Sequence, residues 1–226
     1  MIHDTLMAGL AVTAVVTGVL MFAGDFMARS KRFAPYRIRH SEKQLLSTKA
    51  MAMNIAFNMG FSLAIYVFAL LFLADQLYQE KSIGLLITLV HVIAVLLVYD
   101  FGYYLLHRGL HHPKAMILVH GVHHKARFPS AMQSMLLSPW ENLAGIGLLL
   151  LTIMLLGPMS VEGFVIVVFI HSVVNVLNHV NLVFPHPMFR LTNYLALKHD
   201  YHHDKHLNRN FASMFSFWDK LFGTYR

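Results

Sequence analysis

The chain has 226 residues, 57% of them hydrophobic and only 13% charged, with no cysteine. Soluble domains are typically near half apolar and a quarter charged, so this balance, with a mean hydropathy of +0.55, points to a membrane protein. The lack of cysteine excludes disulfides, iron–sulfur clusters and thiolate zinc sites. Any metal must be held by nitrogen and oxygen, and sixteen histidines are available. In so apolar a chain the formal charge of +7 reads as the side of the membrane that the loops face, not as a nucleic-acid surface.

The first apolar run, 6–26, matches a bilayer core of ~30 Å. No Lys or Arg precedes it and no clean small-residue cleavage site follows, so it is expected to be a retained span and not a signal peptide. Gly9, Gly18 and Gly24 are small enough to allow close helix packing. Residues 28–49 then carry Arg29, Lys31, Arg32, Arg37, Arg39, Lys43 and Lys49, a juxtamembrane basic loop that could also touch anionic headgroups.

The second span, 50–74, has Asn54 and Asn58 one turn apart, placed for an interhelical hydrogen bond. The third span, 83–106, contains His91. It lies sixteen residues before His107, which at ~100° per residue faces it away from His107, so it reads as a packing residue. Two shorter runs, 142–157 and 161–178, are joined by a turn and predict a helical hairpin that need not cross fully. The polar part 179–226 follows, with Pro185 and Pro187 breaking any helix near its start.

The loops 28–49, 107–141 and 179–226 hold seven, four and six Lys or Arg residues, and Lys81 alone lies on the opposite side. The positive-inside rule therefore predicts a cytosolic face for all three and an N-terminus across the membrane. The expected architecture is all-α: a multi-pass membrane helical bundle of four to five segments with a cytosolic histidine-rich helical cap. It is read as one domain over 1–226, with 1–82 supplying N-terminal spans and basic loop and 83–226 the histidine-rich part.

Histidine is concentrated on that one face. His107 and His111 are four apart, and His120, His123 and His124 follow as H-x2-H-H, a spacing repeated by His199, His202 and His203. Positions i, i+3 and i+4 share a helical face, so each triplet could grip one ion or bridge two. Eight imidazoles exceed what one ion can use, and two ions are the economical inference. Ligand type alone does not choose among zinc, iron, copper and nickel. A lone histidine is ordinarily a packing or surface residue; ordered clusters bordering spans are not.

These motifs resemble the fatty acid hydroxylase and sterol desaturase superfamily, over roughly residue 95 to the end. The stretch with Asp100, Tyr104, His107 and Arg108 resembles the family's D-x3-Y-x2-H-R approach to its first box. Pro129, Pro139 and Glu141 resemble the segment after its second box. His179 followed by Asn181 resembles its isolated histidine, and the terminus from Trp218 resembles its closing W-D-x-x-x-G-[ST]-[YF]. Two departures stand out. Where relatives often have a histidine four residues before His179, this chain has Asn175, whose amide could hold a metal-bound water; His171, one turn further back, is a weaker substitute. Ala212 stands where the family usually has glycine.

The resemblance implies an integral-membrane, O2-dependent oxygenase with a non-haem diiron centre held by His107, His111, His120, His123, His124, His179, His199, His202 and His203. Asp100, seven residues before His107, is expected behind an imidazole, because a charge at the end of a span needs a partner. Asp200, Asp204, Glu141 and Asn181 are further second partners; His112 is expected off the metal side and His206 at its edge. The substrate would be a membrane lipid, hydroxylated in preference to desaturated. Met and Phe would suit an adaptable apolar tunnel, with Arg108, Lys125 and Arg127 meeting a polar headgroup. With no haem or flavin part in the sequence, electrons would come from a separate ferredoxin- or cytochrome-type partner. Two other classes stay open: a metal transporter, which would place ligands inside spans, and a metal-dependent membrane hydrolase. The oligomeric state is not set by the sequence.

Overall fold

The computed structural model describes residues 2–40, 45–126, 128–204 and 207–226. Its helices are α1 (Ile2–Arg29), α2 (Thr48–Phe72), α3 (Ala74–Leu77), α4 (Leu85–Leu110), α5 (Pro113–Leu118), α6 (Pro139–Leu156), α7 (Val161–Asn178), α8 (Arg190–His203) and α9 (Ser216–Leu221). Among the described residues, five helices are long and apolar enough to cross a membrane: α1, α2, α4, α6 and α7. Their outward side chains are apolar and uncovered, as Phe22, Leu63, Leu71, Leu85 and Leu155 show. Such surfaces are at home in lipid, not water. The chain is a multi-pass integral membrane bundle.

The hairpin is longer than its apolar run suggested. Ser138 accepts the amide of Glu141 and Pro139 occupies the first turn, so α6 starts three residues before the apolar run. Each arm then has 18 residues, about 27 Å at 1.5 Å per residue, close to the ~30 Å hydrocarbon core.

Lipid is as apolar as leucine, so packing geometry and polar contacts hold spans together instead of the hydrophobic effect. Along α4, Val92, Val95 and Tyr99 are buried at helical spacing against α6 and α7, while Tyr104 and His107 further on are buried against Phe211. α1 lies along α7, and glycine permits the approach: a Cβ on Gly9 would come 2.6 Å from Val165 Cγ1, and one on Gly24 2.7 Å from Ala131 Cβ. Gly18 faces open space and plays no such part. Asn54 and Asn58 hydrogen-bond across helices: both donate to the Leu137 carbonyl, and Asn142 donates to Asn58 Oδ1 at 3.1 Å.

Chain direction separates two ends. At one end two short parallel strands, β1 (Tyr78–Gln79) and β2 (Met159–Ser160), tie the loops α3–α4 and α6–α7 together. At the other end lie the ends of α4 and α7, the start of α6, and α5, α8 and α9. All nine histidines named as ligands sit there. The basic segment after α1 belongs to that end too. Arg39 donates through Nε to Asp200 Oδ1 and through Nη2 to the Asp200 carbonyl, both at 2.6 Å, and its amide donates to Asn181 Oδ1. Lys43, in the same loop, lies outside the described residues.

Candidate metal centre

The nine histidines form two groups. His107, His111, His120, His124 and His202 make one; His123, His179, His199 and His203 make the other; within each, one ring nitrogen per residue lies within 4.8 Å of all the rest. Each H-x2-H-H triplet is shared between groups and serves neither alone. Pairs four apart stay together (107/111, 120/124, 199/203) while the remaining histidine of each triplet, His123 or His202, crosses over. On the α-helix α8, i+3 and i+4 flank i on opposite sides, so His202 and His203 diverge by about 100° and can serve different groups. His120–Lys125 is a 3-10 helix and not the α-helix that its spacing suggested, and His111 is the capping residue just past α4. α8 carries His199, His202 and His203 on one continuous helix as expected.

The rings are oriented by their outer nitrogens. Nδ1 of His107 lies 2.7 Å from the Phe211 carbonyl, and that of His202 2.6 Å from the Arg209 carbonyl. Nδ1 of His123 meets the Leu136 carbonyl at 3.2 Å and that of His179 the Asn175 carbonyl at 2.8 Å. His120 Nδ1 lies 2.8 Å from Glu141 Oε1. Carbonyl and carboxylate oxygens only accept, so each of these rings carries its proton on Nδ1 and presents a bare lone pair at Nε2.

Those lone pairs face one another. The Nε2 atoms of His107 and His120 are 3.2 Å apart, and those of His123 and His179 3.3 Å. Neither atom of such a pair has a proton to share. A doubly protonated ring would supply one, but burial opposes it: the His123 pKa is pushed well below its ordinary value, and that of His179 down to about 4. Burial, then the neighbouring His202 ring, lowers His111 and His124 likewise. Converging neutral lone pairs repel unless a cation lies between them. Neighbouring nitrogens about one ion at the usual bond length of ~2.1 Å would stand roughly 3 Å apart, close to the 3.0–3.3 Å separations seen here. The donor set therefore fits one imidazole-bound ion per group.

A second layer pins the first. Residues 209–215 supply the carbonyls behind His107 and His202, and buried side chains hold this segment. Asp219 accepts the amides of Phe211 and Ala212 at 2.8 and 3.1 Å; Asp100 accepts those of Met214 and Phe215 at 2.7 and 2.9 Å. Lys198 Nζ donates to the Ala212 and Ser213 carbonyls at 2.8 and 2.9 Å. Burial brings its pKa down to about 8, while Asp100 and Asp219 oppose the fall. Asn210, at φ 53, adopts the left-handed conformation that asparagine tolerates, and its side chain donates to the Lys198 carbonyl.

Several expectations are corrected. Asp100 receives backbone amides and not an imidazole. Among the proposed second partners, Glu141 pairs with a ligand ring; Asp200 pairs with Arg39, exposed Asp204 approaches Arg39 at 4.0 Å, and Asn181 bonds Arg39. Asn175 orients His179 through its main-chain oxygen, which leaves the side-chain expectation for Asn175 standing. As expected, His112 is exposed and off both groups. His171 pairs with the Tyr99 hydroxyl at 2.9 Å. His206 and Arg127 lie outside the described residues.

The sequence reading missed Lys198, Asp219 and Arg39 as supports. For Lys198 a signal existed: Leu195, Lys198, His199 and His202 form one buried stripe of α8. Asp219 lies in the terminal motif already singled out, while nothing in the basic loop marked Arg39.

Fold and site together define a multi-pass helical membrane protein with a double polyhistidine centre at one membrane edge. Residues 92–224 match the sequence profile of the fatty acid hydroxylase family, and the chain belongs to that family. It is 35% identical over 137 residues to cholesterol 25-hydroxylase-like protein 1, member 2 of Danio rerio, covering 58% of this chain and 48% of that one. To cholesterol 25-hydroxylase of Homo sapiens it is 33% identical over 162 residues, covering 68% and 57%. To methylsterol monooxygenase 1 of Rattus norvegicus it is 30% identical over 145 residues, covering 61% and 47%. The chain thus spans about half the length of these curated relatives. No solved structure matches it.

Proposed function

We propose that the protein is a membrane-bound, O2-dependent non-haem diiron oxygenase that hydroxylates, or desaturates, an aliphatic C–H bond of a lipid. The observation that carries this reading is the convergence of nine imidazoles in two groups, five of them with Nδ1 anchored on a fixed acceptor and Nε2 turned inward. Bound iron supplies O2 reduction and C–H oxidation. His107, His111, His120, His124 and His202 would hold one ion, and His123, His179, His199 and His203 the other. Asn175 stands one turn before His179, where an i,i+4 pair would complete the second group. Its side-chain amide is proposed to hold a water in place of a fifth imidazole.

The surrounding residues orient the ligands and exclude water. Glu141 and the carbonyls of Arg209, Phe211, Leu136 and Asn175 fix ring tautomers. Asp100 supports the 213–215 turn, a positioning task and not a catalytic one. The sterol enzymes among the relatives, and the family itself, support a lipid with a sterol-like or acyl body as substrate. Electrons would come from a separate ferredoxin- or cytochrome-type donor docking on the histidine face, and the charge distribution supports a cytosolic location for that face.

The test is oxygen uptake and product mass with purified, iron-loaded protein, a chemical reductant and lipid. A gain of one oxygen or a loss of two hydrogens that needs O2 is expected, with two ions per chain. Product formed equally without O2 points to the hydrolase reading, and metal flux into liposomes to the transporter.

A further inference from the structure

The two groups are not equally covered. All four histidines of the second are buried, whereas His111 and His124 of the first are only half-buried. His111 also walls a cavity of about 610 Å³, within the range that takes a drug-sized ligand. Arg108 and His111 contribute from the end of α4, Met116 and Ile117 from α5, and Leu207 and Phe211 from the opposite side. Phe211 is the residue whose carbonyl orients His107.

The cavity adjoins the end of a membrane-spanning helix. α4 is a span, so its last turn marks the edge of the hydrocarbon, and α5 follows after two residues. Ile117 is 82% exposed and Leu118 75%. Apolar residues so uncovered at a bilayer edge belong in the leaflet. Arg108, His112 and Asn208 are exposed polar side chains in a lining that also holds Pro113, Met116, Ile117, Leu207 and buried Phe211.

We propose that this cavity is the lateral mouth by which a membrane lipid reaches the five-histidine group, apolar body first, with its polar end held at the rim by Arg108 and His112. The oxidised carbon is then remote from the polar end. This rests on the oxygenase reading for its purpose but not for its test.

The test uses the purified full chain in phosphatidylcholine nanodiscs with four photoreactive probes: cholesterol and palmitic acid, each in one version with a diazirine at its apolar end and one with it near its polar end. Cross-linked residues are mapped by mass spectrometry. Apolar-end diazirines should label His111 and Phe211, polar-end ones Arg108 and His112, both competed by unlabelled lipid. The paired substitution Ile117→Trp and Leu207→Trp should cut competed labelling by about tenfold or more with bound metal unchanged. Competition by one lipid class alone identifies the class. Labelling that is not competed by either lipid, or that is confined to outward-facing positions such as Leu97 and Val98, overturns the proposal, as does the reversed order of ends. A protein labelled as expected but forming no O2-dependent product retains the cavity and loses the oxygenase reading.

Discussion

Substitution of Lys198 by Met tests the idea that buried charges shape the metal centre from behind. Lys198 is 4% exposed and its ammonium donates to the Ala212 and Ser213 carbonyls at 2.8 and 2.9 Å. Methionine fills similar space without a donor. It strands two carbonyls and leaves Asp100 and Asp219, both fully buried, without their shared counter-charge. Removing one partner of a buried charge set costs about 3–5 kcal/mol. Against a total stability of about 5–15 kcal/mol, that is a large loss. At roughly 2–4 °C per kcal/mol for a chain of this size, Tm should fall by about 6–20 °C.

A second effect follows from the same geometry. The 209–215 segment no longer holds the Phe211 and Arg209 carbonyls firmly behind His107 and His202, and lost outer partners typically weaken metal binding about 10–100-fold. Thermal unfolding in detergent by tryptophan fluorescence reads the first effect, and elemental analysis after dialysis against a weak chelator the second. Lys198→Arg, which keeps the charge, should lose less of both. A Lys198→Met protein that melts within about 1 °C of the parent and keeps both ions would refute the reasoning.

Three further outcomes are expected. Glu141→Gln replaces the carboxylate on His120 with an amide that can turn its donor to Nδ1. Affinity for the ion of the five-histidine group should drop by about 10–100-fold, read by metal titration, with the second ion still bound. Gly24→Ala places a Cβ 2.7 Å from Ala131 Cβ, where α1 meets the segment before α6. Overpacking of this kind costs about 1–3 kcal/mol, whereas Gly18→Ala, facing open space, should leave Tm unchanged. Acid should act on the ligands. Burial holds His179 at about 4 and His202 at about 3, both below the ordinary 6.5. The unfolded chain therefore binds more protons than the folded one at acid pH. Stability from these groups is complete above pH 6.5 and is lost as pH falls through the folded values. Protons compete with metal in the same direction. Tm and ion content should be level from neutral to mildly alkaline pH and decline below 6.5; constancy of both down to about pH 4 would contradict this.

Sequence by itself determined the membrane bundle, because a span is a local property: a long apolar run must satisfy its own backbone bonds as a helix. Loop charge sorted the spans without reference to histidine, helical spacing picked out eight of the imidazoles that the fold brings together, and the family resemblance supplied the ninth, His179. Local spacing could not assign them to groups. His120, His123 and His124 are adjacent in sequence, yet His123 joins His179, His199 and His203, because α7 and α8 approach it from the other side. The outer partners were equally hidden. Asp100 is in helical register with His107, but its carboxylate turns to amides more than a hundred residues later. The carbonyls that orient His107, His123 and His202 carry no side-chain signature at all. Main-chain groups are the same in every residue, so only the tertiary path of the 209–215 segment and of the turn before α6 could place them.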